Sequence, residues 1–357
     1  MQTLSVILAG GSGTRFWPLS RTNLPKQVLN ISGNDVMINE TITRCNGIVN
    51  FKDSYIVTAE NQADIIKDVL LPDVPKENVF SEPAARNTAP CILYAALKLR
   101  KKYGDAVMCV FPSDHYITNT PKFREILQKA VALAEENEKL VTIGITPTFP
   151  ATGYGYINYN KESINGDSYK VNEFVEKPDY IRASEFIKSG NYLWNSGIFI
   201  WKISTIISSF ERYLPRIYNR MLEWEQYIDT PDEAAMFKKI YPSVQKISID
   251  FGIMERSDDV LVIPADIGWN DVGSWDALGA IFPPDEKGNI IRSEENILIN
   301  SMNNIVFSEK QLVSAIDIHD MIIVSTADAL MICPKSKAQN VKDIVEELTL
   351  NKMDKYI

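Results

Sequence analysis

The chain has 357 residues, of which 45% are hydrophobic and 23% are charged. These proportions are those of an ordinary globular protein and exclude a fibrous or a disordered chain. The formal net charge of −9 gives the surface as a whole a sign that repels nucleic acid and anionic lipid, so neither is expected as a partner. A phosphate-bearing ligand therefore needs a local basic pocket.

The two histidines, His115 and His319, lie too far apart to form a zinc motif of the HExxH kind and exclude a His-rich metal cluster. A metal ion would therefore have to be held by carboxylates. The four cysteines lie far apart and form no CxxC pair, which indicates buried free thiols. No apolar run reaches the length of a membrane span, and no basic leader precedes the first strand-like run. A cytoplasmic protein without membrane attachment is therefore expected.

The first part of the chain alternates apolar strand-like runs with helical patterns. The strand-like runs cover residues 3–9, 54–59, 106–111 and 140–145, and the helical patterns cover roughly 36–48, 60–70, 87–103 and 121–138. Continuous apolar strands of this length are typical of a parallel sheet. The alternation predicts an α/β fold with a Rossmann-like, doubly wound mixed sheet that binds ligands at the carboxyl ends of its strands.

The pattern of predicted strands and helices changes twice in the later part of the chain. Further strands are predicted near 155–159, 169–175, 197–201 and 258–263, among aromatic-rich helices that should supply a second ligand's pocket. After Pro283-Pro284, short strand-like runs separated by polar turns predict a small β-helix-like appendage. An amphipathic helix over 336–350 closes it, with Val341, Ile344, Val345 and Leu348 on one face. The predicted domains are therefore residues 1–285 and residues 286–357.

The strongest chemical signal is the segment LAGGSGTRFWPLSRTNLPKQ, residues 8–27, directly after the first strand. Gly10, Gly11 and Gly13 let the backbone approach a triphosphate closely and direct N–H groups at its oxygens. Arg15 and Lys26 add positive charge where a pyrophosphate would leave. The loop is thus predicted to hold a nucleoside triphosphate.

Three other interpretations of this loop compete with triphosphate binding. A P-loop is excluded because no GK[ST] follows at the required spacing, and a dinucleotide fingerprint is weakened because Phe16 occupies the third glycine position. A plain glycine turn after a strand would be preferred for the glycines alone. The combination of three glycines with Arg15, Pro18 and Pro25-Lys26 makes that interpretation much weaker.

The whole segment GGSGTRFWPLSRxxxPKQ resembles the signature of the sugar-1-phosphate nucleotidyltransferases. Its FWPLS and PKQ variants resemble the mannose-1-phosphate guanylyltransferase branch of that family. The resemblance continues in family order through EPAARNTAP (82–90), FPSDH (111–115), TGYGYI (152–157), FVEKPD (174–179), YLWNSGIFIW (192–201) and GWNDVGSW (268–275). It implies a nucleotidyltransferase catalytic domain over residues 1–285.

Two separated aspartates are the candidate metal ligands. Asp114 follows the strand ending at Phe111, and Asp271 lies in the polar turn of GWNDVGSW. Such carboxylates suit Mg²⁺, although either aspartate alone would more often be a turn or helix cap. The resemblance implies that the pair holds the catalytic Mg²⁺ and that Arg15 and Lys26 complete the catalytic set.

The resemblance assigns the sugar phosphate to Gly155, Glu176, Lys177 and Asn195. Glu176 is expected to bind sugar hydroxyls and Lys177 the sugar phosphate. Gly155 could bring backbone amides to the sugar ring, and the Asn195 amide offers both a donor and an acceptor to vicinal hydroxyls. Without the resemblance, Glu176 and Lys177 could instead form a surface ion pair. Gly155 could belong to a tight hairpin and Asn195 to a turn.

For the nucleotide, the expected ligands are Leu8, Gly10, Gly11, Gly13, Thr14, Glu82, Asn87 and Thr88. Asn87 or Thr88 could cap the following helix, contact the nucleotide, or do both. Glu82 is a plausible acceptor for the N1–H and exocyclic amine of guanine, and the choice of guanine rests on the resemblance alone. In SIDFGIMER (248–256), Phe251, Ile253 and Met254 are interpreted as core residues.

The resemblance implies the reaction of GTP with α-D-mannose 1-phosphate to give GDP-mannose and diphosphate, by Mg²⁺-assisted in-line attack on the α-phosphorus. One alternative is a nucleotidyltransferase for glucose, heptose or fucose 1-phosphate. Another is a catalytically silent regulatory paralogue that binds a nucleotide sugar, which the intact set of Arg15, Lys26, Asp114 and Asp271 disfavours. Because related enzymes often form oligomers, a homodimer is one assembly that the resemblance suggests.

Overall fold

The structure, a computed structural model, describes the backbone of residues 1–357 and the side chains of all but residues 163–165. The chain folds as two units, each assembled from several segments. The first unit comprises Met1–Gly10, Thr41–Ser113 and Asn119–Trp269, and the second comprises Gly11–Glu40, Asp114–Thr118 and Asn270–Ile357. The predicted domain division at residues 285 and 286 stays a prediction.

Strands and helices alternate through the first part of the chain, as predicted. The strands are β1 (Thr3–Leu8), β2 (Ser54–Ala59), β3 (Val79–Glu82), β4 (Val107–Pro112), β5 (Tyr116–Ile117), β6 (Leu140–Ile145), β7 (Gly155–Asn165), β8 (Ser168–Glu176), β9 (Tyr192–Lys202), β10 (Val260–Ala265), β11 (Trp269–Asn270), β12 (Ile290–Arg292), β13 (Asn296–Ile299), β14 (Ile305–Ser308), β15 (Val313–Ile316), β16 (Met321–Ser325) and β17 (Leu330–Pro334). The α-helices are α1 (Met37–Arg44), α2 (Ala63–Val69), α3 (Thr88–Tyr103), α4 (Thr120–Glu136), α5 (Tyr180–Ser189), α6 (Ile203–Tyr213), α7 (Pro215–Glu225), α8 (Glu233–Ile240) and α9 (Val341–Leu350).

The first unit is built on a mixed sheet of nine strands in the order β3-β2-β1-β4-β9-β6-β10-β8-β7. Strands β3, β2, β1 and β4 are parallel, with Leu8 opposite both Val57 and Pro112 and with Ala59 opposite Glu82. The carboxyl ends of these strands therefore share one edge of the sheet, which is where such folds bind ligands. The predicted α/β fold with a doubly wound mixed sheet is confirmed.

One core prediction is wrong. Ile253 and Met254 are buried, but the Phe251 side chain is 47% exposed. The cause is local, because Asp250–Met254 forms a π-helical turn rather than the strand or α-helix that an apolar run suggests. Such turns are wider than an α-helical turn and often occur at functional sites. Phe251 lies on the outer side of this turn.

In the second unit, short strands form two small sheets, and all of their pairings are parallel except that of β16 with β17. One sheet has the order β12-β14-β16-β17 and the other pairs β13 with β15. Ile290, Ile305 and Ile322 stack in register, so each coil of the chain adds one isoleucine to the interior. This is the predicted β-helix-like appendage. Helix α9 closes it with Val341 buried and Ile344, Val345 and Leu348 packed on the same core, as predicted.

Candidate active site

A cavity of about 320 Å³ lies within the second unit, beside the segment that follows Gly10. Its lining consists of Ser12, Gly13, Thr14, Arg15, Phe16, Lys26, Asp114, His115, Asp271, Gly273 and Lys342. The four residues predicted to be catalytic, Arg15, Lys26, Asp114 and Asp271, therefore meet in one cavity. The Arg15 side chain is exposed there, whereas Lys26 is buried.

Lys26 contacts both aspartate segments. Its Nζ lies 2.8 Å from Asp114 Oδ2, 3.3 Å from the Asp114 carbonyl oxygen and 3.1 Å from the Asp271 carbonyl oxygen. The lysine side chain is 5% exposed and that of Asp114 is 37% exposed. Desolvation acts to raise the pKa of Asp114, but the nearby Lys26 ammonium and His115 more than offset it, so this pKa is lowered. Asp114 is therefore ionised at neutral pH.

Gly13 is required by the approach of Lys26. Its φ of +63° lies in the left-handed region, and a Cβ built on Gly13 would overlap the Cβ of Lys26. Any side chain at this position would push Lys26 out of the cavity. Gly13 is therefore needed for the packing of Lys26 as well as for the shape of the loop.

The Asp271 turn is held by its own side chains. Asn270 Oδ1 accepts a hydrogen bond from Val272 N at 2.7 Å, and Asp271 Oδ1 accepts one from Gly273 N at 3.2 Å. Side chains of Asn and Asp commonly fix turns in this way. Asp271 lines the same cavity as Asp114.

The donor set of this cavity fits a magnesium ion. Mg²⁺ is commonly bound through one or two carboxylates together with water and substrate phosphates. Within the part of the chain whose side chains are described, no group of three or more His, Cys, Asp or Glu residues could hold a metal ion by itself. Two carboxylates in a cavity with room for phosphates match the magnesium pattern.

Among the predicted nucleotide ligands, Leu8 ends β1 and Gly10 lies two residues beyond it, in the first unit. The Leu8 carbonyl oxygen accepts a hydrogen bond from Ser113 N at 3.1 Å. Gly10 is exposed, and a Cβ built on it would lie 3.8 Å from Oε2 of Glu82. Gly11 is exposed and Thr14 begins a short 3₁₀ turn in the second unit.

Glu82 is buried at the end of β3, with 8% of its surface exposed. Its Oε1 accepts a hydrogen bond from the Tyr241 hydroxyl, and the Cys91 thiol also hydrogen-bonds to the carboxyl group. Burial raises the pKa of Glu82 to about 7 despite these two lowering contacts. The Tyr241 contact joins residues that are 159 positions apart, so sequence spacing did not point to it.

Asn87 is the N-cap of α3, which confirms one of its two predicted roles. Its Oδ1 accepts from Thr88 N at 2.8 Å, and its φ of 66° is unusual for a residue other than glycine. The Thr88 hydroxyl accepts a hydrogen bond from Ile249 N at 2.8 Å. Thr88 therefore ties the start of α3 to the segment that leads into Asp250.

The predicted sugar-phosphate residues meet in the first unit. A Cβ on Gly155 would overlap Oε2 of Glu176 and would lie 3.3 Å from the Cβ of Asn195. Glu176 Oε1 and Lys177 Nζ form an ion pair of 2.8 Å, in which Lys177 is 63% exposed. The local ion-pair interpretation is thus correct. It is also compatible with a role in binding, because Lys177 lies at a positive φ of 48° directly after β8.

Asp250 belongs to this cluster, although the sequence interpretation assigned it no role. Its Oδ1 accepts a hydrogen bond from Asn195 Nδ2 at 2.7 Å. Burial and then the negative charge of Glu176 raise the pKa of Asp250 to about 6. The signal that could have revealed it was a lone acidic residue inside the otherwise apolar segment SIDFGIM. The site therefore offers two carboxylates and one amide to hydroxyl groups.

A family model described as nucleotidyl transferase matches residues 4–288, and one described as MannoseP isomerase/GMP-like beta-helix domain matches residues 294–348. The chain belongs to the nucleotidyl transferase family. This family acts on nucleotide and sugar phosphate substrates and generally uses a divalent metal ion. The cavity around Lys26 lies within the matched range of the nucleotidyl transferase except for Lys342.

Relatives of this nucleotidyl transferase cover almost the whole chain. Mannose-1-phosphate guanylyltransferase 2 of Escherichia coli O157:H7 is 36% identical over 364 residues, which cover 99% of this chain and 75% of that protein. Mannose-1-phosphate guanylyltransferase RfbM of Salmonella typhimurium is 37% identical over 363 residues, covering 100% of this chain and 74% of its own. The solved structure of a protein named mannose-1-phosphate geranyltransferase from Thermus thermophilus superposes with a TM-score of 0.88 at 30% identity, covering 98% of this chain and all of that one.

Throughout the described residues, no helix combines the length and the apolar character that crossing a membrane requires.

Proposed function

We propose that this nucleotidyl transferase is a mannose-1-phosphate guanylyltransferase, which converts GTP and α-D-mannose 1-phosphate into GDP-mannose and diphosphate. The observation that carries the proposal is the cavity in which Lys26 and Arg15 meet two carboxylates. The near full-length similarity to relatives with this name supports the choice of substrates. A cytoplasmic location and a homodimer stay predictions.

An oxygen of the sugar phosphate attacks the α-phosphorus of GTP. The new P–O bond forms as the bond between the α-phosphorus and the oxygen bridging to the β-phosphorus breaks, and diphosphate carries away the electron pair. The attacking phosphate is already an anion at neutral pH, so no protein nucleophile or general base is required. The protein contributes positioning and charge neutralisation.

The charged residues of the second unit act on the triphosphate. Arg15 and Lys26 neutralise the phosphates of GTP and the departing diphosphate. Asp114 and Asp271 would hold Mg²⁺, which when bound supplies positive charge to the α-phosphate. Gly10, Gly11, Gly13 and Thr14 bind phosphate oxygens through the loop, and Leu8 supports the loop where β1 ends.

Residues of the first unit bind the base and the sugar phosphate. Glu82 accepts from the guanine edge, and the segment of Asn87 and Thr88 flanks the nucleotide. For mannose 1-phosphate, Lys177 binds the phosphate, while Glu176, Asn195 and Asp250 accept hydrogen bonds from hydroxyl groups. Gly155 leaves the space that the Glu176 carboxylate occupies.

The proposal is tested by following diphosphate release with GTP or ATP against mannose 1-phosphate or glucose 1-phosphate, with and without Mg²⁺. We expect fast release only for GTP with mannose 1-phosphate in the presence of Mg²⁺. Equal or faster release with glucose 1-phosphate would reject mannose as the substrate, and release that is independent of a divalent ion would reject the role of the two aspartates.

A further inference from the structure

The Glu82 carboxyl group has two oxygens in different surroundings. Oε1 accepts the hydrogen bond of the Tyr241 hydroxyl, inside the protein. Oε2 is the oxygen that faces Gly10, at 3.8 Å from the position of a Cβ on that glycine. The exposed backbone of Gly10 continues the loop that is proposed to bind GTP. Tyr241 therefore holds Oε1, and Oε2 is the oxygen on the side of Gly10.

Tyr241 is itself held firmly. It is fully buried, its ring centroid lies 4.7 Å from that of Phe237 and 6.2 Å from that of Tyr94, and it begins a 3₁₀ turn after α8. Arg86, four residues after Glu82, donates a hydrogen bond to the carbonyl oxygen of Pro242 in the same turn. A second hydrogen bond therefore joins the segment that carries Glu82 to the turn that carries Tyr241.

We propose that Tyr241 is a positioning residue for guanine recognition, because its hydroxyl holds Glu82 so that Oε2 is presented as a hydrogen-bond acceptor to the base. This inference rests on the proposed use of GTP. The Watson–Crick edge of guanine offers two donors, N1–H and the exocyclic amine, whereas adenine presents an acceptor at N1. A carboxylate oxygen with no proton therefore favours guanine over adenine.

The protonation state of Glu82 decides whether it can act in this way. The titratable groups that face it are Tyr241, on the turn after α8, and Cys91 and Tyr94 on α3. Burial raises the pKa of all three above their usual values, so they stay neutral where Glu82, with a pKa of about 7, changes charge. The hydroxyl hydrogen bond favours the ionised carboxylate, so losing it raises the Glu82 pKa further.

The test compares Tyr241→Phe with the wild type and with Tyr94→Phe, which removes a hydroxyl from the same aromatic cluster. Dissociation constants of GTP and ATP are measured with Mg²⁺ and without sugar phosphate, from about pH 6 to about pH 8.5, a range that brackets the Glu82 pKa. For Tyr241→Phe, the preference for GTP over ATP is expected to fall about tenfold at neutral pH, the size of one hydrogen bond to a charged group. The acid limb of GTP binding, which is the pH range in which protonation of Glu82 weakens the affinity for GTP, should also move to higher pH. Tyr94→Phe should retain both properties.

An equal loss of GTP and ATP affinity with an unmoved acid limb would overturn the proposal, since that is the result of a merely structural defect. In a Glu82→Gln background, Tyr241→Phe should have no further effect on the GTP preference, and an undiminished effect would also contradict the inference. If Tyr241→Phe does not fold, 3-fluorotyrosine at position 241 keeps the ring and strengthens the donor. The acid limb should then move to lower pH, and an unmoved limb would reject the role of Tyr241.

These binding measurements separate the inference from the proposed function. A protein that prefers GTP through Tyr241 but releases no diphosphate with mannose 1-phosphate would retain the inference and lose the proposed sugar. A protein that makes GDP-mannose while Tyr241→Phe keeps its GTP preference and its pH profile would lose the inference alone.

Discussion

Two carboxylate clusters of this protein differ in how their charge is compensated. In the second unit, the Lys26 ammonium lies 2.8 Å from Asp114 Oδ2, and the pKa of Asp114 is lowered. In the first unit, Asp250 accepts from the neutral Asn195 amide near Glu176, and its pKa is raised to about 6. The first arrangement keeps its carboxylate charged for ionic ligands. The second arrangement suits neutral ligands whose hydroxyl groups donate hydrogen bonds to the carboxylates, such as sugars.

The largest effect on activity should come from the cluster of Lys26, Asp114 and Asp271. Lys26→Ala or Asp271→Ala is expected to lower kcat by about 10³-fold, because each removes charge or a ligand that acts on the reacting phosphates. The measurement is diphosphate release under saturating GTP and mannose 1-phosphate, with thermal unfolding as a check on the fold. Lys122→Ala, which removes an exposed lysine paired with Glu125, is the control and should keep full activity. Near-normal kcat in either active-site variant would remove that residue from the mechanism.

A smaller effect is expected from Gly155→Ala in the cluster of Glu176 and Asp250. The new Cβ overlaps Oε2 of Glu176, so the carboxylate must move away from the sugar, and kcat/KM for mannose 1-phosphate should fall about 10²-fold. Gly153→Ala is the matched control, because a Cβ there meets no atom within 4 Å. The KM for GTP should change little in both variants. Equal kinetics of the two alanine variants would show that Glu176 has no fixed place in sugar binding.

The smallest effect concerns pH. Because the pKa of Asp250 is raised to about 6, its carboxyl group is protonated below that pH and ionised above it. If the ionised form accepts from a sugar hydroxyl, the KM for mannose 1-phosphate should fall as pH rises through about 6. Asp250→Asn should flatten this dependence and raise KM about tenfold at neutral pH, the size of a lost charged hydrogen bond.

The substrate phosphate also titrates near pH ~6, so the informative quantity is the ratio of KM values between Asp250→Asn and the wild type at each pH. A ratio that stays constant across the transition would assign the whole dependence to the substrate. The raised pKa of Asp250 also makes the free energy of unfolding depend on pH. A raised pKa means that the contribution of protonated Asp250 to the free energy of unfolding is present at acid pH and is lost as pH rises through about 6.

Local patterns were sufficient for the fold class and for Arg15 and Lys26, whereas Asp114 and Asp271 were predicted from the family resemblance. Apolar runs predicted eight of the nine strands of the large sheet, and β3, which ends in Glu82, was not among them. GSGTR and PKQ pointed to Arg15 and Lys26 because glycines and cations in one loop suggest phosphates. The sequence did not predict that Lys26 would contact Asp114 and Asp271. That contact depends on three segments that come together only in the folded chain.

The missed residues of the first unit have a common cause. Asp250 was overlooked and Phe251 was wrongly predicted to be buried, since a π-helical turn has no sequence period that would place one side chain inward and the next outward. No sequence pattern singled out Tyr241, and its side chain is fully buried. Its hydroxyl acquires meaning only through Glu82, 159 positions away.

The loop that carries Arg15 and Lys26 is braced from the opposite end of the chain. Trp17 Nε1 donates to the carbonyl oxygen of Tyr356 at 2.7 Å, Trp275 Nε1 donates to that of Trp17 at 3.0 Å, and Arg21 pairs with Asp328 at 2.7 Å. All of these contacts lie inside the second unit. Exchanging residues 286–357 between two family members would therefore replace two of these three contacts, those that Tyr356 and Asp328 make with a loop encoded near the start of the gene. A recombinant enzyme made in this way should inherit both stretches from one parent.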